Sequence, residues 1–408
     1  MYTLGIHLLS FFLKFIAPFN RKIKLGVDGR RKTFKTLKEK LNDSDRCLWF
    51  HCASLGEYEQ GLPVFEVLKN NYPEHTIVLT FFSPSGYEIR KNTNVADIVV
   101  YLPLDTKRNA KKFLELVRPE FTIFVKYDIW ANFLIELKNQ NRRAILISAL
   151  FRHNQIYFKF YGKKQRKALF SFEHIFVQNQ DSKDLLTKIN YNHISIAGDT
   201  RFDRVFNQLS QNNALDFVST FKGNSTCVVI GSSWPEDEHI LIPYINKHAS
   251  EQLKFIIAPH EITSQHINHI RDSLDAEYVL YSDKKPQLLS SASVFIVDTI
   301  GLLSKIYSYA DIAYVGGAMG KTGLHNILEP AVFGVPVIIG HHYEKFPEAS
   351  TMIAKAGVVS VSNQSELASQ LNQFISSSTD RKTFGLKNCN FIKENKGAVV
   401  QITKYIRI

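Results

Sequence analysis

The sequence predicts an α/β protein built from two doubly wound domains, and three observations support this prediction. The chain has 408 residues, which exceeds the length at which a single hydrophobic core stops growing. Short apolar runs alternate with helical segments, which is typical of strand–helix–strand units in a parallel sheet. These units form two series, and a stretch of different character at residues 198–204 separates them.

We expect four segments along the chain. An apolar and then basic stretch covers residues 1–45, a first Rossmann-like domain covers 46–200, and a second covers 201–392. Residues 393–408 contain a last helix, for which packing back against the first domain is one option.

The composition is that of a soluble globular protein with an acidic partner. The hydrophobic share is 45% and the charged share 22%, both ordinary values. The formal charge of +12 indicates nucleic acid, anionic lipid or a phosphorylated substrate as the partner. The four cysteines show no CxxC pair and no metal-site spacing, which favours structural thiols in a reduced compartment.

The N-terminal stretch is apolar over residues 1–19, but Lys14 interrupts it. It is shorter than the roughly 20 uninterrupted apolar residues of a membrane span, and it lacks the charge order of a signal peptide. A basic tract follows at residues 21–40. Two readings stay open: a helix that lies on an anionic membrane surface at its cytoplasmic side, or a core helix followed by solvated charges.

Seven apolar runs of strand length form the first series. The predicted helices between them cover residues 57–70, 109–117 and 130–137. The predicted strands are 48–52, 76–81, 98–102, 121–125, 144–147, 174–177 and 194–197.

Three candidate catalytic residues belong to this part of the chain. Glu57 follows Ser54 and Gly56 at the end of the first strand, where a carboxylate of raised pKa can act as a general base. Alternatively, Glu57 only complements the dipole of the helix that it begins. Lys126 follows another strand, and it either stabilises an anion or extends its amine into solvent. Arg201 lies between the two series, where a guanidinium can hold a carboxylate or phosphate with two hydrogen bonds.

The second series places small or polar residues at the carboxyl ends of its strands, where open α/β sheets bind ligands. Its strands are predicted at 227–230, 255–258, 294–297 and 312–315, with a helix at 236–245. The residues that follow the strands are Ser232, Ser233, Pro259, His260, Ile300, Gly301, Leu302, Gly316 and Gly317. Together they predict a nucleotide-binding cradle.

Residues 316–336 read GGAMGKTGLHNILEPAVFGVP and have the order glycine loop, helix, strand. Glycines at a strand end let backbone N–H groups approach an anion, and a helix start adds further donors. We expect His325, Asn326 and Glu329 to begin a helix that ends near Gly334, with Glu329 accepting from sugar hydroxyls. The spacing excludes a P-loop. In the alternative reading, the glycines only form a tight turn and His325 and Glu329 cap the helix.

No metal or cofactor is predicted. His341 and His342 are adjacent, which would aim their rings apart on a strand, and no DxD motif stands near a strand end.

The ordered set of motifs resembles one family over nearly the whole chain, the bacterial 3-deoxy-D-manno-octulosonic acid (Kdo) transferases, which are lipid A glycosyltransferases of GT-B fold. The motifs are residues 54–57 (SLGE), 83–86 (SPSG), 101–105 (YLPLD), 128–132 (DIWAN), 198–203 (GDTRFD), 298–302 (DTIGL), and Gly316-Gly317 with 325–330 (HNILEP).

The resemblance implies two Rossmann-like domains that face a central cleft, at the cytoplasmic side of the inner membrane. The C-terminal domain would hold CMP-Kdo and the N-terminal domain the lipid A precursor (lipid IVA). Glu57 matches the general base of an inverting transfer that releases CMP, and Arg201 matches a charge-stabilising position that is usually Lys. The positions that match CMP-binding residues are Pro259, His260, Ile300, Gly301, Leu302, Asn326, Ile327, Leu328 and Glu329.

Three departures from the family pattern accompany the resemblance. Lys126 stands where many members have Glu, no Arg separates Pro259 from His260, and Leu302 replaces a frequent Glu. Other readings are a glycosyltransferase for a different nucleotide sugar and a non-catalytic membrane-bound scaffold. Nucleic-acid binding is not predicted, because no recognised motif accompanies the basic tracts.

Overall fold

The computed structural model describes residues 2–408 apart from the side chains of residues 3, 4 and 7, which every later statement about residues 2–408 leaves out, and contacts between residues divide the chain into two units. The first unit extends to Asp203 and includes Lys396–Ile408, and the second unit is Arg204–Asn395. The four segments expected from the sequence, with boundaries after residues 45, 200 and 392, stay a prediction.

The first unit contains a seven-stranded sheet in which every neighbouring pair of strands is parallel. Its order is β3-β2-β1-β4-β5-β6-β7, so the direction of winding reverses between β1 and β4. The strands are β1 (Cys47–Cys52), β2 (Thr76–Phe81), β3 (Ile98–Tyr101), β4 (Pro119–Val125), β5 (Arg143–Ala149), β6 (His174–Val177) and β7 (Ile194–Ile196).

The second unit repeats this architecture. Its order is β10-β11-β9-β8-β12-β13-β14, again all parallel, with the reversal between β8 and β12. The strands are β8 (Thr226–Ser233), β9 (Leu253–Pro259), β10 (Tyr278–Leu280), β11 (Val294–Ile296), β12 (Ile312–Val315), β13 (Val337–Ile339) and β14 (Val358–Ser360). The prediction of two doubly wound domains is confirmed.

Helices connect the strands in both units. In the chain up to residue 208 they are α1 (Tyr2–Ile16), α2 (Arg21–Lys40), α3 (Leu55–Asn71), α4 (Pro84–Arg90), α5 (Lys107–Val117), α6 (Ala131–Asn139), α7 (Lys163–Leu169), α8 (Gln180–Thr187) and α9 (Thr200–Gln208). They continue with α10 (Asp216–Lys222), α11 (Pro235–His248), α12 (Ser264–Asp272), α13 (Pro286–Ser291), α14 (Leu303–Ile306), α15 (Leu328–Ala331), α16 (Pro347–Lys355), α17 (Gln364–Ser376), α18 (Ser378–Asn395) and α19 (Ala398–Tyr405).

Two helices differ from the sequence-based expectation. The stretch at residues 198–204, expected as a connecting segment, contains the start of α9. The helix expected from His325 to about Gly334 is only the single turn of α15, so His325 and Asn326 precede it. The reason is a non-local contact, since the His325 N–H donates to the Gly316 carbonyl at 3.1 Å and holds this part of the loop against β12.

Buried strands account for the apolar runs of the sequence, because helices cover both faces of each sheet. All six residues of β1 are buried, and they alternate between two cores. Trp49 packs with Phe113 and Phe124, whereas Phe50 stacks on Phe65 from α3. Side chains of α19 belong to the same core as Phe50.

The N-terminal helices expose a row of aromatic side chains that we call the apolar ridge: Phe11, Phe12, Phe15 and Phe19, which are between 55% and 84% exposed. Helix α2 packs through Gly26, Thr33 and Leu37, and the Thr33 hydroxyl donates to the Tyr101 carbonyl at 2.8 Å. Within residues 2–408, no helix has the length and apolar character needed to cross a bilayer.

Candidate functional site

Glu57 lies at the start of α3, directly after β1 and therefore at the reversal point of the first sheet. Ser54 and Glu57 form a capping box, in which the Ser54 backbone N–H and hydroxyl both donate to Glu57 Oε2 at 2.6 Å. Within residues 2–408 no hydrogen bond to Oε1 accompanies these contacts. The side chain is thus fixed through one oxygen, which leaves the other to accept from a substrate. Gly56 is exposed beside it, and a Cβ there would meet only Ser54 Oγ, at 3.9 Å.

The surroundings of Glu57 favour proton uptake. The residue is only 7% exposed. Burial raises the pKa of Glu57, the negative charge of Asp128 raises it further, and the Ser54 bonds and the Lys126 charge oppose this change. The capping role and a general-base role are therefore compatible, because a capping carboxylate with a raised pKa can still take up a proton.

Lys126 and Asp128 follow β4, the strand next to β1 across the reversal point. Lys126 has φ of +69°, a left-handed conformation that is uncommon for a residue with a side chain. Its amine lies 5.2 Å from the ring centroid of Tyr127. The structure thus brings the predicted Lys126 close enough to Glu57 to affect its pKa.

Arg201, in the first turn of α9, is bound to a buried carboxylate of its own unit. Its Nε and Nη2 donate to Asp199 Oδ2 at 2.9 and 2.7 Å, and its backbone N–H donates to Oδ1. Burial raises the pKa of Asp199, but the Arg201 guanidinium lowers it overall. Gln60 of α3 also donates to Asp199, at 3.1 Å, so Arg201 is held in place relative to the helix that carries Glu57.

In the second unit, the predicted residues follow four strands that are neighbours in the sheet: β11, β9, β8 and β12. Ser232 and Ser233 end β8, and Ser232 has φ of +55°. Ser233 is fully buried, and its hydroxyl donates to Glu238 Oε1 at 2.8 Å. Its side chain therefore stabilises the strand end and is not available to a ligand.

The glycine pair after β12 is shaped by the buried carboxylate of Asp237. This carboxylate accepts from the Gly317 N–H at 2.8 Å and from the Tyr314 hydroxyl at 2.7 Å. A Cβ on Gly316 would lie 2.4 Å from the Ser232 carbonyl oxygen, so only glycine fits between β8 and β12. Gly317 has φ of +97°, the left-handed region that favours glycine.

Three aromatic rings stack beside this loop. The Trp234 and His260 rings lie 4.5 Å apart, and so do those of His260 and His325. The Trp234 indole N–H donates to His325 Nε2 at 3.1 Å, so His325 is neutral and carries its hydrogen on Nδ1. Burial and the neighbouring His260 lower the pKa of His325 to about 4. His260 is exposed and follows the buried Pro259.

The remaining predicted donor-site residues divide into surface and core. Ile300 is 77% exposed and the adjacent Gly301 has φ of +88°, whereas Leu302 is half-buried. Ile327 and Leu328 are buried and belong to the core. The side chains at these two positions therefore do not contact a ligand.

Asn326 and Glu329 form the polar part of this segment. Asn326 Nδ2 donates to Glu329 Oε1 at 3.1 Å, and Asn326 Oδ1 accepts from the Leu328 N–H at 3.2 Å. These bonds fix both side chains at the start of α15. Glu329 thereby presents a carboxylate at the same sheet edge as the glycine pair, which suits it to accept from hydroxyl groups.

The sequence reasoning missed Asp128, Asp237 and Trp234. Asp128 was part of a quoted motif, but its position beside Glu57 depends on the pairing of β1 with β4. Asp237 reads as an ordinary acidic residue in the first turn of a helix. A tryptophan directly before a predicted helix was the only available signal for Trp234.

Within residues 2–408, no group of three or more His, Cys, Asp and Glu side chains is placed to hold a metal ion. The expectation that His341 and His342 point apart on a strand is wrong. Both follow β13 in a loop, and their ring centroids lie 4.0 Å apart.

Comparisons with known proteins match this architecture. A family model described as 3-deoxy-D-manno-octulosonic-acid transferase (kdotransferase) matches residues 28–204. A 3-deoxy-D-manno-octulosonic acid transferase of Chlamydophila psittaci is 26% identical and covers 86% of this chain and 82% of its own length. The protein of the same description from Aquifex aeolicus is 27% identical and covers 83% of this chain and 89% of its own length.

Solved structures support the fold. A UDP-GlcNAc 2-epimerase of Neisseria meningitidis superposes with a TM-score of 0.57 at 14% identity, covering 88% of this chain and 100% of its own. MurG of Acinetobacter baumannii gives 0.55 at 11% identity, covering 88% and 99%. At such identities the likeness shows the fold alone, which is the GT-B fold.

Proposed function

Because this chain belongs to the Kdo transferase family and is a glycosyltransferase, we propose that it transfers Kdo from CMP-Kdo to a hydroxyl of the lipid A precursor. CMP is released, and the configuration of the sugar is inverted. The observation that carries this proposal is the buried Glu57, whose pKa is raised and which lies at the reversal point of the first sheet.

On the acceptor side, Glu57 acts as the general base. Ser54 holds Oε2, and Oε1 accepts the hydrogen of the acceptor hydroxyl. The acceptor O–H bond breaks as its oxygen forms a bond to the anomeric carbon of Kdo, and the proton passes to Glu57. The bond from that carbon to the phosphate oxygen breaks, and CMP leaves with the electron pair.

On the donor side, the second unit binds the cytidylate and the sugar acid. The Nδ1–H of neutral His325 donates to a phosphate oxygen, whereas the N–H groups of Gly316 and Gly317 are bonded to the Gly231 carbonyl and to Asp237 and fix the shape of the loop. Glu329, fixed by Asn326, accepts from the ribose hydroxyls. These are the two kinds of contact that a nucleotide sugar requires, anion donors and a hydroxyl acceptor.

Lys126 and Arg201 supply positive charge in the first unit. Lys126 lowers the pKa of Glu57 and so keeps part of the base ionised. Arg201 is oriented by Asp199, and we assign to it the stabilisation of negative charge that develops during transfer. The ion pair with Asp199 reduces its net charge, so its contribution is smaller than that of a lone cation.

We further assign the apolar ridge to an anionic membrane surface at the cytoplasmic side of the inner membrane, where a lipid acceptor is found. The ridge exposes aromatic rings that can enter the headgroup region, and α2 adds cations that can pair with lipid phosphates. The exposed basic residues of α2 are Arg21, Lys22, Lys24, Arg31, Lys32, Lys35, Lys38 and Lys40.

The proposal is tested by incubating the purified chain with CMP-Kdo and lipid A precursor and measuring CMP release and the acceptor product. We expect release that depends on both substrates. Calorimetry with CMP and UDP tests the donor separately, and Asn326→Ala should weaken CMP binding. Tighter binding of UDP than of CMP would replace the donor by another nucleotide sugar.

A further inference from the structure

A buried chain of polar side chains leads to the neighbourhood of Glu57. Trp49 and His51 lie on β1, Thr80 lies on β2, and all three are fully buried. The Trp49 indole N–H donates to Thr80 Oγ1 at 2.8 Å, and His51 Nδ1 lies 2.8 Å from the same oxygen. The chain ends at Asp128, whose Oδ2 is 3.3 Å from His51 Nε2.

The available hydrogens assign the tautomer of His51. An indole N–H can only donate, so Thr80 Oγ1 accepts from Trp49 and has one hydrogen of its own to give. That hydrogen has two acceptors within reach, His51 Nδ1 at 2.8 Å and the Phe50 carbonyl at 3.4 Å. The shorter contact makes Nδ1 the acceptor, so in the neutral ring the hydrogen of His51 is on Nε2, the nitrogen that lies 3.3 Å from Asp128 Oδ2.

His51 Nε2 and Asp128 Oδ2 are each other's polar neighbour. Both atoms are buried, and among the described residues neither makes a regular hydrogen bond, to the other or to a third group, although they lie 3.3 Å apart. The Trp130 ring meets the His51 ring edge-on at 5.7 Å. A buried carboxylate oxygen without a donor is costly, and the His51 ring nitrogen at 3.3 Å is the polar contact that reduces this cost for Asp128.

Asp128 in turn acts on Glu57. Its charge is the largest contribution to the raised pKa of Glu57 after burial, and Lys126 and the Ser54 bonds oppose it. The other titratable groups near Glu57 and Asp128 are the thiol of Cys52 on β1 and the hydroxyl of Tyr127. Burial first, and then the charges of Glu57 and Asp128, raise the pKa of both groups, which keeps them neutral near pH 7.

We propose that Asp128, oriented by His51, is a positioning residue that keeps a fixed negative charge beside Glu57. This inference rests on the proposed function, because it requires Glu57 to be the base. The Asp128 charge makes Glu57 the stronger proton acceptor when the acceptor hydroxyl loses its hydrogen. Asp128 itself stays beside His51 and exchanges no proton in the step.

The test is the pH dependence of kcat/KM in Asp128→Asn. Activity falls as the pH drops through the pKa of Glu57. Removal of the neighbouring charge lowers this pKa, so the acidic limb should move to lower pH by about one unit. An acidic limb that stays in place, with activity reduced equally at every pH, would reduce Asp128 to a structural residue and overturn the inference.

His51 provides the matched controls. His51→Gln keeps an N–H donor near the Nε2 position, so its pH profile should stay close to that of the wild type. His51→Leu removes the donor, so its acidic limb should move in the same direction as that of Asp128→Asn. A His51→Leu profile that matches the wild type would also overturn the inference.

Two further measurements separate this inference from the proposed function. If Glu57→Gln keeps full activity, the base assignment fails and this inference fails with it. If Glu57→Gln is inactive but the Asp128→Asn profile does not move, only this inference fails. Nitrogen-15 NMR of the wild type, with His51→Gln used for assignment, should show the Nε2–H tautomer, and an Nδ1–H tautomer would contradict the arrangement.

Discussion

Replacement of Asp237 by alanine should destabilise the protein more than replacement by asparagine. The Asp237 carboxylate accepts from the Trp234 N–H at 2.9 Å, the Gly317 N–H at 2.8 Å and the Tyr314 hydroxyl at 2.7 Å. Asp237→Ala leaves three donors without an acceptor, at about 1–3 kcal/mol each, so we expect a loss of at least about 3 kcal/mol. In the unit Arg204–Asn395 this corresponds to roughly 6–12 °C in Tm.

Asp237→Asn keeps an acceptor for only two of the three donors. Both backbone N–H groups bond to Oδ2, so an amide oxygen placed there accepts from both, but the amide NH₂ then faces the Tyr314 hydroxyl, whose own hydrogen loses its acceptor. The loss is that of one buried acceptor together with the charge assistance, about 2 kcal/mol or roughly 4–8 °C. Calorimetry measures both variants, and the transition that shifts on addition of CMP identifies the second unit. Equal Tm values for the two variants would refute the hydrogen-bond reasoning.

Three further predictions follow from the same structure. Gly316→Ala should lower the free energy of unfolding of the second unit by about 1–3 kcal/mol, because its Cβ would lie 2.4 Å from a backbone oxygen. Gly301→Ala should cost less, because the space around Gly301 is open and only its φ of +88° opposes a side chain. The Tm of each variant measures the difference. The folded state lowers the pKa of His325 to about 4. As the pH falls below about 6.5, the unfolded chain therefore takes up a proton at this position before the folded chain does. The free energy of unfolding should decrease between about pH 6.5 and about pH 4. His325→Gln, measured by thermal unfolding over this range, should lack that part of the decrease. Serine at the four positions of the apolar ridge should reduce binding to anionic vesicles more than tenfold, because the burial of each Phe side chain contributes roughly 1.5–3 kcal/mol to binding. Unchanged vesicle binding would contradict the membrane assignment.

The sequence predicted all seven strands of the first sheet, because that sheet is parallel and buried, but it missed β10 and β14, the three-residue edge strands of the second sheet. Buried parallel strands read as unbroken apolar runs, and the run at residues 76–81 coincides with β2. The carboxyl ends of these runs also identified Glu57 and the glycine pair. The polar residues that fix those ends could not be found in this way, because their partners are distant in the chain. Asp237 reaches Gly317 across 80 positions.

Helix α15 shows a second limit of sequence reasoning. Residues 325–334 look like a helix with a polar first turn, but the structure has only the single turn Leu328–Ala331. The bond from His325 to Gly316 and the cap of Asn326 on Leu328 determine where the helix begins. Neither contact is visible in local propensity, since the first depends on a glycine loop folding back on β12.

The central claim is that Glu57 removes the proton from the acceptor, and the rate of acceptor-dependent CMP release by Glu57→Gln tests it most directly. The amide keeps the size of the side chain and can still accept from the Ser54 donors through its oxygen, but it cannot take up a proton. We predict a rate roughly 10²–10⁴-fold below that of the wild type, with CMP affinity unchanged. A Glu57→Gln enzyme that releases CMP at the wild-type rate would contradict the account.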